Sequence, residues 1–380
     1  MRVLLVTWNY PPKVGGMEMM LYQLVQHLTS YIEVHIIGPY AGSGDKSADN
    51  VIRPRRDGLL RFVLHGLFSG ARLLRESSYD AILAGSALIV PIALVLGWLF
   101  KLPVVANVYG LDLIYPHPVY QCMVRMFLPR CNCIVAISQM AMEAAVERGV
   151  PREQVSIINP GIEFSEFAVM PNLDIVRRAY GLDDRLVLLS VGRLARRKGV
   201  LEFVRYSLPS IVEEHPTAIF LIIGGNPVLS LSHKEDLEAL IQNDVKKLGL
   251  EQNVRLLGWV ERRELINLYL ACDVFVLPAI EVKGDVEGFG IVLIEANAAG
   301  KPVVSTRVGG ILDAVKDGES GMLVEAGAWD ELANVITDLL ADEALRQSIG
   351  YLGRERVRAQ FDWPVIAQQY AELLTGLGEV

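Results

Sequence analysis

Two runs of consecutive apolar residues constrain this chain most, because each has the pattern of a strand that is buried on both faces. Residues 3–7 precede Pro11, Pro12 and a pair of glycines, and residues 186–191 precede Gly192 and a basic loop. A continuous apolar run that ends in turn residues is typical of a parallel sheet covered by helices on both sides. Each run is therefore predicted to start a unit in which a strand feeds a turn and then a helix.

Further strand-like runs follow each of these two starts, with helical patterns such as residues 235–248 between them. They are residues 33–37, 81–84, 104–108 and 133–137 after the first start, and 218–223, 254–257, 274–277 and 302–305 after the second. Regular alternation of strand and helix predicts the α/β class with parallel sheets. Two such series predict two doubly wound, Rossmann-like domains.

The chain length supports two domains, because 380 residues exceed the roughly 250–300 that one core organises. Turn signals at Asn159-Pro160-Gly161 and Met170-Pro171-Asn172 place the boundary between them. We expect an N-terminal Rossmann-like domain over residues 1–168 and a C-terminal Rossmann-like domain over 169–363. The final helix, 364–380, is expected to pack back on the first domain.

Composition excludes several classes of protein. A formal net charge of −8 gives no overall attraction to nucleic acid. The N-terminus lacks the pattern of a signal peptide, and the four cysteines lack the spacing of a zinc site. The longest apolar run, residues 87–100, is shorter than the roughly 20 residues of a membrane span and is expected to be a buried helix. We expect a cytoplasmic protein, at most peripheral on the inner face of the cell membrane.

The first candidate site is the turn Pro-Pro-Lys-Val-Gly-Gly-Met-Glu at residues 11–18. Gly15 and Gly16 have no Cβ, so their backbone can approach an anionic group, and the helix that follows presents free N–H groups. The alternative is that the two glycines only make a tight turn between strand and helix.

The second candidate site is the basic loop from Gly192 to Gly199. The guanidinium of Arg193 and the ammonium of Lys198 suit a diphosphate, whose charge must be neutralised when it leaves. Neither a GxGxxG nor a Walker A motif is present, which argues against a dinucleotide or a nucleoside triphosphate. The alternative is a solvated basic loop.

The third candidate site is the segment 284–295, which holds Glu287 and Glu295. Eight residues are about two helical turns, or roughly 12 Å, so these carboxylates are predicted to address two separate polyols rather than one metal. Four residues between them complete the candidate donor site: Gly288, Phe289, Gly290 and Ile291. A fourth candidate, Tyr109 with Asp112, follows the predicted strand 104–108.

These motifs, in this order, resemble the GT-B retaining glycosyltransferases of family 4, also called glycosyltransferase group 1. The strongest matches are the segments 192–199, 224–227 and 284–304, together with the Pro-Pro-x-x-Gly-Gly-x-Glu opening. The segment 285–292 looks closest to the GDP-mannose-dependent phosphatidylinositol mannosyltransferases. The resemblance implies two Rossmann-like domains facing a cleft, with residues 1–168 on the acceptor side and residues 169–363 binding the nucleotide sugar. It also implies transfer of a hexose, with mannose as the first choice.

The resemblance also implies a role for each candidate residue. Arg193 and Lys198 would bind the donor diphosphate, Glu287 the sugar hydroxyls and Glu295 the ribose. Gly16, with Gly15, would close on the diphosphate, and Gly192 and Gly224 would line the donor site. The acceptor, a glycan or a lipid-linked glycan, would lie near Asp112. No metal and no other cofactor would be needed, because Arg193 and Lys198 would neutralise the diphosphate as Mg²⁺ does elsewhere, and the acceptor proton would pass to the departing phosphate.

One departure from the family concerns Tyr109-Gly110, where relatives usually carry His-Gly. A tyrosine can donate and accept a hydrogen bond but carries no charge at neutral pH, which puts the sugar identity in doubt. His117 could substitute, or could be a bystander. Two alternatives therefore stay open: a nucleotide-sugar epimerase or sugar phosphorylase, and a non-catalytic nucleotide-sugar-binding subunit.

A last feature is the segment 51–76, in which cations and large apolar residues alternate. It carries six arginines against Asp57 and Glu76. Such a helix can lie on an anionic membrane and receive a lipid-linked acceptor. The alternative is a core helix with a solvated cationic face.

Overall fold

The computed structural model describes residues 1–42, 51–169, 171–226 and 235–377. The chain divides into two compact units. The first consists of residues 1–161 with the helix that starts at Trp363, and the second of residues 162–362.

The first unit is built on a parallel sheet, which has seven strands in the described residues. Its strands are β1 (Arg2–Val6), β2 (Glu33–Ile37), β3 (Val51–Ile52), β4 (Ala81–Ala84), β5 (Val104–Val108), β6 (Cys133–Ala136) and β7 (Val155–Ile157). Their order across the sheet is β3-β2-β1-β4-β5-β6-β7. The order reverses between β1 and β4, and ligands of such sheets bind at the carboxyl ends of the strands there.

The second unit repeats this arrangement, with six parallel strands in the part of the chain described. They are β8 (Leu186–Val191), β9 (Ala218–Ile223), β10 (Val254–Gly258), β11 (Val274–Leu277), β12 (Val303–Thr306) and β13 (Gly321–Val324). The order is β10-β9-β8-β11-β12-β13, so the reversal lies between β8 and β11. Buried side chains such as Phe203 and Phe220 fill the core beside this sheet.

Helices cover both sheets. Those of the first unit are α1 (Gly16–Leu28), α2 (Leu59–Glu76), α3 (Val90–Phe100), α4 (Leu111–Ile114), α5 (Pro118–Phe127), α6 (Gln139–Val146) and the closing helix α16 (Trp363–Leu377). Those of the second unit are α7 (Leu173–Ala179), α8 (Val200–Tyr206), α9 (Leu208–Glu214), α10 (Leu237–Leu248), α11 (Arg262–Ala271), α12 (Ile291–Ala298), α13 (Ile311–Ala314), α14 (Trp329–Ala341) and α15 (Glu343–Gln360).

The predicted α/β class with two Rossmann-like parallel sheets is confirmed. Three strands were missed, namely β3, β7 and β13. They lie at sheet edges or are very short, and β3 has only two residues. An edge strand is partly exposed and therefore lacks the continuous apolar run that marks a central one.

The units divide at Gly161, ahead of the predicted boundary at residue 168. Ile162 forms a β-bridge with Asp362, and the ring of Phe167 packs edge-on against Tyr269 at 6.2 Å. Both contacts anchor the segment after Gly161 in the second unit. Helix α16 packs on the first unit, where the Tyr370 hydroxyl donates to Asn107 at 3.2 Å.

Helices α2 and α3 pack closely because α2 turns Gly66 and Gly70 toward α3. A Cβ at Gly70 would lie 2.6 Å from a terminal methyl group of Leu96 of α3, so a larger residue there would require the Leu96 side chain to move. The expectation that residues 87–100 form a buried helix was only partly right. Trp98 is 80% and Leu99 is 55% exposed, because α3 covers the sheet with its other face. In the described residues, no helix is both long and apolar enough to span a bilayer.

Candidate functional site

The loops at the carboxyl edge of the second sheet touch through glycines, which bring their backbones into direct contact. A Cβ at Gly199 would lie 1.8 Å from the carbonyl oxygen of Pro278. A Cβ at Gly224 would lie 2.1 Å from the carbonyl oxygen of Gly192. Real Cβ atoms do not come so close, so only glycine permits this packing. The loops after β8, β9 and β11 therefore form one assembly.

A buried ion pair lies in this assembly. The Lys198 ammonium is 2.8 Å from Oε2 of Glu287, and each side chain is about one-tenth exposed, at 10% and 11%. The Arg197 guanidinium lies 3.5 Å from the same carboxylate and 3.1 Å from Asp285. Two candidates that are far apart in sequence, Lys198 and Glu287, are thus direct neighbours.

The ionisation of Glu287 follows from these cations. Burial by itself would raise the pKa of Glu287, but Lys198 and Arg197 outweigh it and lower the pKa below its ordinary value. Glu287 is therefore a carboxylate at neutral pH, able to accept hydrogen bonds from hydroxyl groups.

The four cations of the basic loop divide into three groups. Lys198 and Arg197 face the carboxylates just described. Arg196 pairs with Glu202 at 2.7 Å and with Glu235 at 2.6 Å, away from Glu287. The Arg193 side chain is exposed and has no ion pair or hydrogen bond within the residues that the structure describes. Of the four, Arg193 is therefore the cation that has no carboxylate partner in the described part of the chain, so all its donors can bind an added anion.

Glu287 and Glu295 do not share a helix, which corrects the basis of their predicted spacing. Helix α12 begins at Ile291, after Gly290 in the left-handed region at φ 87°. Glu287 therefore lies in the preceding loop, with Gly288 and the buried Phe289. The two carboxylates have different partners, so their separation comes from the fold rather than from helical rise.

Glu295 lies on α12 and is held by two side chains of α11. Arg262 donates to its Oε1 at 2.5 Å, and the Tyr269 hydroxyl donates to its Oε2 at 2.9 Å. The residue is 8% exposed. Glu295 is therefore a fixed, charge-compensated acceptor.

In the first unit, the predicted turn is arranged around a carboxylate of its own. Glu18, in the first turn of α1, accepts a hydrogen bond from the Asn9 side chain at 2.9 Å. A Cβ at Gly15 would lie 2.2 Å from this carboxylate, whereas a Cβ at Gly16 would meet nothing within 4 Å. Gly15 thus leaves room for Glu18, and Gly16 leaves open space beside the helix start.

Tyr109 follows β5 and is buried at 5% exposure. Its hydroxyl donates to the carbonyl of Gly85 at 3.1 Å, and burial raises its pKa well above the ordinary value. The side chain is thus an uncharged phenol. Exposed His117 caps α5, where its Nδ1 accepts from the Tyr120 N–H at 3.4 Å.

Asp112 connects two loops of the first sheet. Its carboxylate accepts from the backbone N–H of Tyr109 at 2.8 Å and of Ala87 at 3.2 Å. Burial raises the pKa of Asp112 to about 6, although these hydrogen bonds act in the opposite direction.

The free energy of unfolding is expected to depend on pH through Asp112. Because the pKa is higher in the folded chain, at about 6, than the roughly 3.9 of an unfolded chain, the folded state binds the proton first. The stabilisation is complete below the ordinary pKa and is lost as the pH rises to about 6. We expect wild type to lose about 1–2 kcal/mol relative to Asp112→Asn between about pH 4 and pH 7, with solvent screening included. Urea unfolding of both proteins across this pH range measures the change. A difference in unfolding free energy between wild type and Asp112→Asn that stays constant with pH would contradict the prediction.

Several residues of these clusters escape sequence reasoning. Arg197 and Asp285 lie within the predicted segments 192–199 and 284–295 but were given no role of their own, and Arg262 and Tyr269 lie outside every predicted site. Only the tertiary structure brings these four residues to their partners. Gly310 could have been noticed from the sequence, because the pair Gly309-Gly310 follows a strand and such pairs permit close backbone contact. A Cβ there would lie 2.0 Å from the carbonyl oxygen of Gly288. The described residues contain no group of three His, Cys, Asp or Glu side chains that could hold a metal ion.

Two family models match the chain. The model described as glycosyl transferases group 1 matches residues 174–356, and the model described as glycosyltransferase family 4 matches residues 14–166. Each match lies almost entirely within one compact unit.

Proteins with similar sequences and folds are known for the whole chain. A GDP-mannose-dependent alpha-(1-6)-phosphatidylinositol monomannoside mannosyltransferase of Mycolicibacterium smegmatis is 29% identical, over 99% of each chain. A monoacylated-substrate counterpart of Corynebacterium glutamicum is 27% identical over 98% of this chain and 97% of its own. The Anabaena protein HepE, solved in complex with UDP, superposes with a TM-score of 0.81 at 22% identity, over 99% of this chain and 100% of its own.

Proposed function

We propose, from the premise that the chain belongs to the group 1 and family 4 glycosyltransferases with the GT-B fold, that it is a retaining, metal-independent hexosyltransferase. The donor is a nucleoside diphosphate sugar, with GDP-mannose as the first choice. The acceptor is a hydroxyl of a glycan or of a lipid-linked glycan.

The observation that carries this proposal is the buried Lys198–Glu287 pair, with Arg193 exposed in the same loop. A leaving diphosphate needs cations in fixed positions, and a sugar needs a fixed acceptor for its hydroxyls. Lys198 is close to one carboxylate and can add a hydrogen bond to a phosphate, because an ammonium has three donors. Glu287 keeps its charge and can accept from the sugar.

The proposed reaction balances without a protein nucleophile. The bond between the anomeric carbon and the phosphate oxygen breaks, and the acceptor oxygen bonds to the same face of that carbon. The acceptor proton moves to the departing phosphate oxygen. Arg193 and Lys198 stabilise the charge on the diphosphate, and the protein otherwise contributes positioning. Gly15, Gly16 and Tyr109 of the first unit, with Asp112 and His117, remain predictions for the sugar and the acceptor.

Mannose is supported by the relatives, which are GDP-mannose-dependent enzymes at 27–29% identity. The decisive experiment incubates the chain with GDP-mannose, UDP-glucose or UDP-galactose and a mannosylated phosphoinositide, with and without EDTA. We expect GDP release matched by glycosylated acceptor of retained configuration, unchanged by EDTA. Isomerised donor sugar would instead establish an epimerase, and donor binding without turnover would establish a binding subunit.

A lipid-linked acceptor is supported by an exposed apolar surface in the first unit, formed by α2 and α3. Leu60, Leu64 and Phe68 of α2 are exposed, at 72%, 49% and 76%. Leu64 and Phe68 line one groove with Val95 and Leu99 of α3. Arg72 and Arg75 line the same groove, where Arg72 pairs with Glu76 at 2.8 Å. Three further arginines of the segment 51–76 are exposed: Arg55, Arg56 and Arg61. Such a surface suits an anionic bilayer, which accepts apolar side chains and attracts cations.

Vesicle binding tests this surface. The double variant Phe68→Ser/Trp98→Ser is expected to bind phosphatidylglycerol-containing vesicles at least about tenfold more weakly than wild type, because two large aromatic side chains no longer enter the bilayer. Sedimentation with phosphatidylcholine vesicles, with and without phosphatidylglycerol and at low and high salt, measures it. Wild type is expected to prefer the anionic vesicles and to release them at high salt.

A matched control removes two exposed apolar side chains of the second unit, Ile175 and Tyr351, which are each 63% exposed. The variant Ile175→Ser/Tyr351→Ser should bind vesicles as wild type does. Self-association of wild type through the α2–α3 surface, without vesicle binding, would contradict the membrane proposal.

A further inference from the structure

The Glu295 carboxylate is fixed from two directions by α11. Arg262 donates to Oε1 at 2.5 Å and Tyr269 donates to Oε2 at 2.9 Å, while the Glu295 side chain is only 10% exposed. A buried carboxylate without a counter-charge would be costly, and Arg262 supplies that counter-charge. Burial raises the pKa of Tyr269 well above its ordinary value, which keeps its hydroxyl a donor.

Arg262 is itself fixed on its other side. Its Nε and Nη2 donate to Oε2 of Glu166 at 2.9 and 2.7 Å, and its guanidinium lies 5.7 Å from the centre of the Phe167 ring. Each of its three nitrogens therefore has a carboxylate partner. A planar guanidinium held in this way presents Nη1 to Glu295 in a single orientation.

A carboxylate has about four lone-pair positions, and Arg262 and Tyr269 occupy two of those on Glu295. Two lone-pair positions of Glu295 therefore remain, and two adjacent hydroxyl groups can each donate to one of them. We infer that Arg262 is a positioning residue that orients Glu295 toward the ribose hydroxyls of the donor, and that the pair selects ribonucleotides over deoxyribonucleotides. This inference rests on the proposed function and on the predicted role of Glu295 in binding the ribose of the donor.

The test is the ratio of the affinities for GDP and 2′,3′-dideoxy-GDP, measured by calorimetric titration of the full chain. Wild type is expected to prefer GDP by about tenfold or more, because hydrogen bonds to a charged group are lost with the hydroxyls. Arg262→Gln is expected to lower this preference below about threefold, and Arg262→Lys to restore part of it, since the charge returns without the fork. UDP and 2′,3′-dideoxy-UDP form a second arm of the experiment.

A purely structural role for Arg262 would weaken both nucleotides equally and leave the ratio unchanged, which would overturn the inference. The control Arg205→Gln removes an arginine from another buried carboxylate of the second unit, Asp244 at 2.5 Å, and should keep the wild-type ratio.

The variant Glu295→Gln distinguishes the assignment of Glu295 to the ribose from the positioning role of Arg262. If it keeps the wild-type ratio, Glu295 does not bind the ribose, and both the ribose assignment and the positioning role fail. If it loses the ratio while Arg262→Gln keeps it, the ribose assignment stands and only the positioning role fails. Because the ligands carry no hexose on the diphosphate, the result is independent of whether the donor is a mannose nucleotide.

Discussion

The substitution Lys198→Ala is expected to lower kcat/KM for the donor sugar by about a hundredfold to a thousandfold. The ammonium is buried and held 2.8 Å from Glu287, so it has little freedom to reorganise when a diphosphate arrives. Removing it takes away a preorganised charge on the leaving group and one of the two cations that keep Glu287 ionised. Initial rates with increasing donor, on a variant whose fold is checked by circular dichroism, measure the effect.

Arg196→Ala is the matched control, because Arg196 belongs to the same turn but pairs with Glu202 and Glu235. It should retain a rate within about threefold of wild type, as expected for removal of a partly exposed ion pair.

Arg193→Ala is expected to lower turnover by about a hundredfold or more, since Arg193 has free donors. Near-wild-type rates for Lys198→Ala and Arg193→Ala together would contradict the diphosphate assignment.

The substitution Gly199→Ala is expected to lower the free energy of unfolding by about 3–5 kcal/mol. Gly199 has φ 66°, and the added Cβ would lie 1.8 Å from the carbonyl oxygen of Pro278. Because that neighbour is backbone, the collision forces the loops after β8 and β11 apart. Urea unfolding of the variant and wild type measures the difference, and donor affinity is expected to fall with it.

Gly249→Ala isolates the contribution of the collision. Gly249 has φ 70°, close to that of Gly199, but nothing lies within 4 Å of its added Cβ. The backbone strain is therefore similar and the contact is absent, so a loss of only about 1 kcal/mol is expected. Equal losses in the two variants would mean that the loops yield to the new methyl group.

The parts of the fold that were predictable are those with a local signal. Of the central strands, β4, β9 and β11 are apolar runs, β1 is apolar after Arg2, and β5 and β8 are each interrupted by one polar residue only, because both faces of a central strand are covered. Glycine pairs and a basic loop after such runs identified Gly16, Gly192 and Lys198 as candidates. The pattern misled at α3, because the solvent face of this helix is apolar as well, with Trp98 and Leu99 exposed.

What the sequence by itself determined is the alternation of strands and helices, and with it the two parallel sheets and the edge at which the candidate residues lie. Only the tertiary structure decided which partner each charged residue has. Lys198 pairs with Glu287 and Arg262 with Glu295 because β8 lies beside β11 and α11 packs on α12. Local periodicity records whether a residue faces the core or water. A pairing between distant residues depends on strand order and loop contact, and no local pattern in the chain records these.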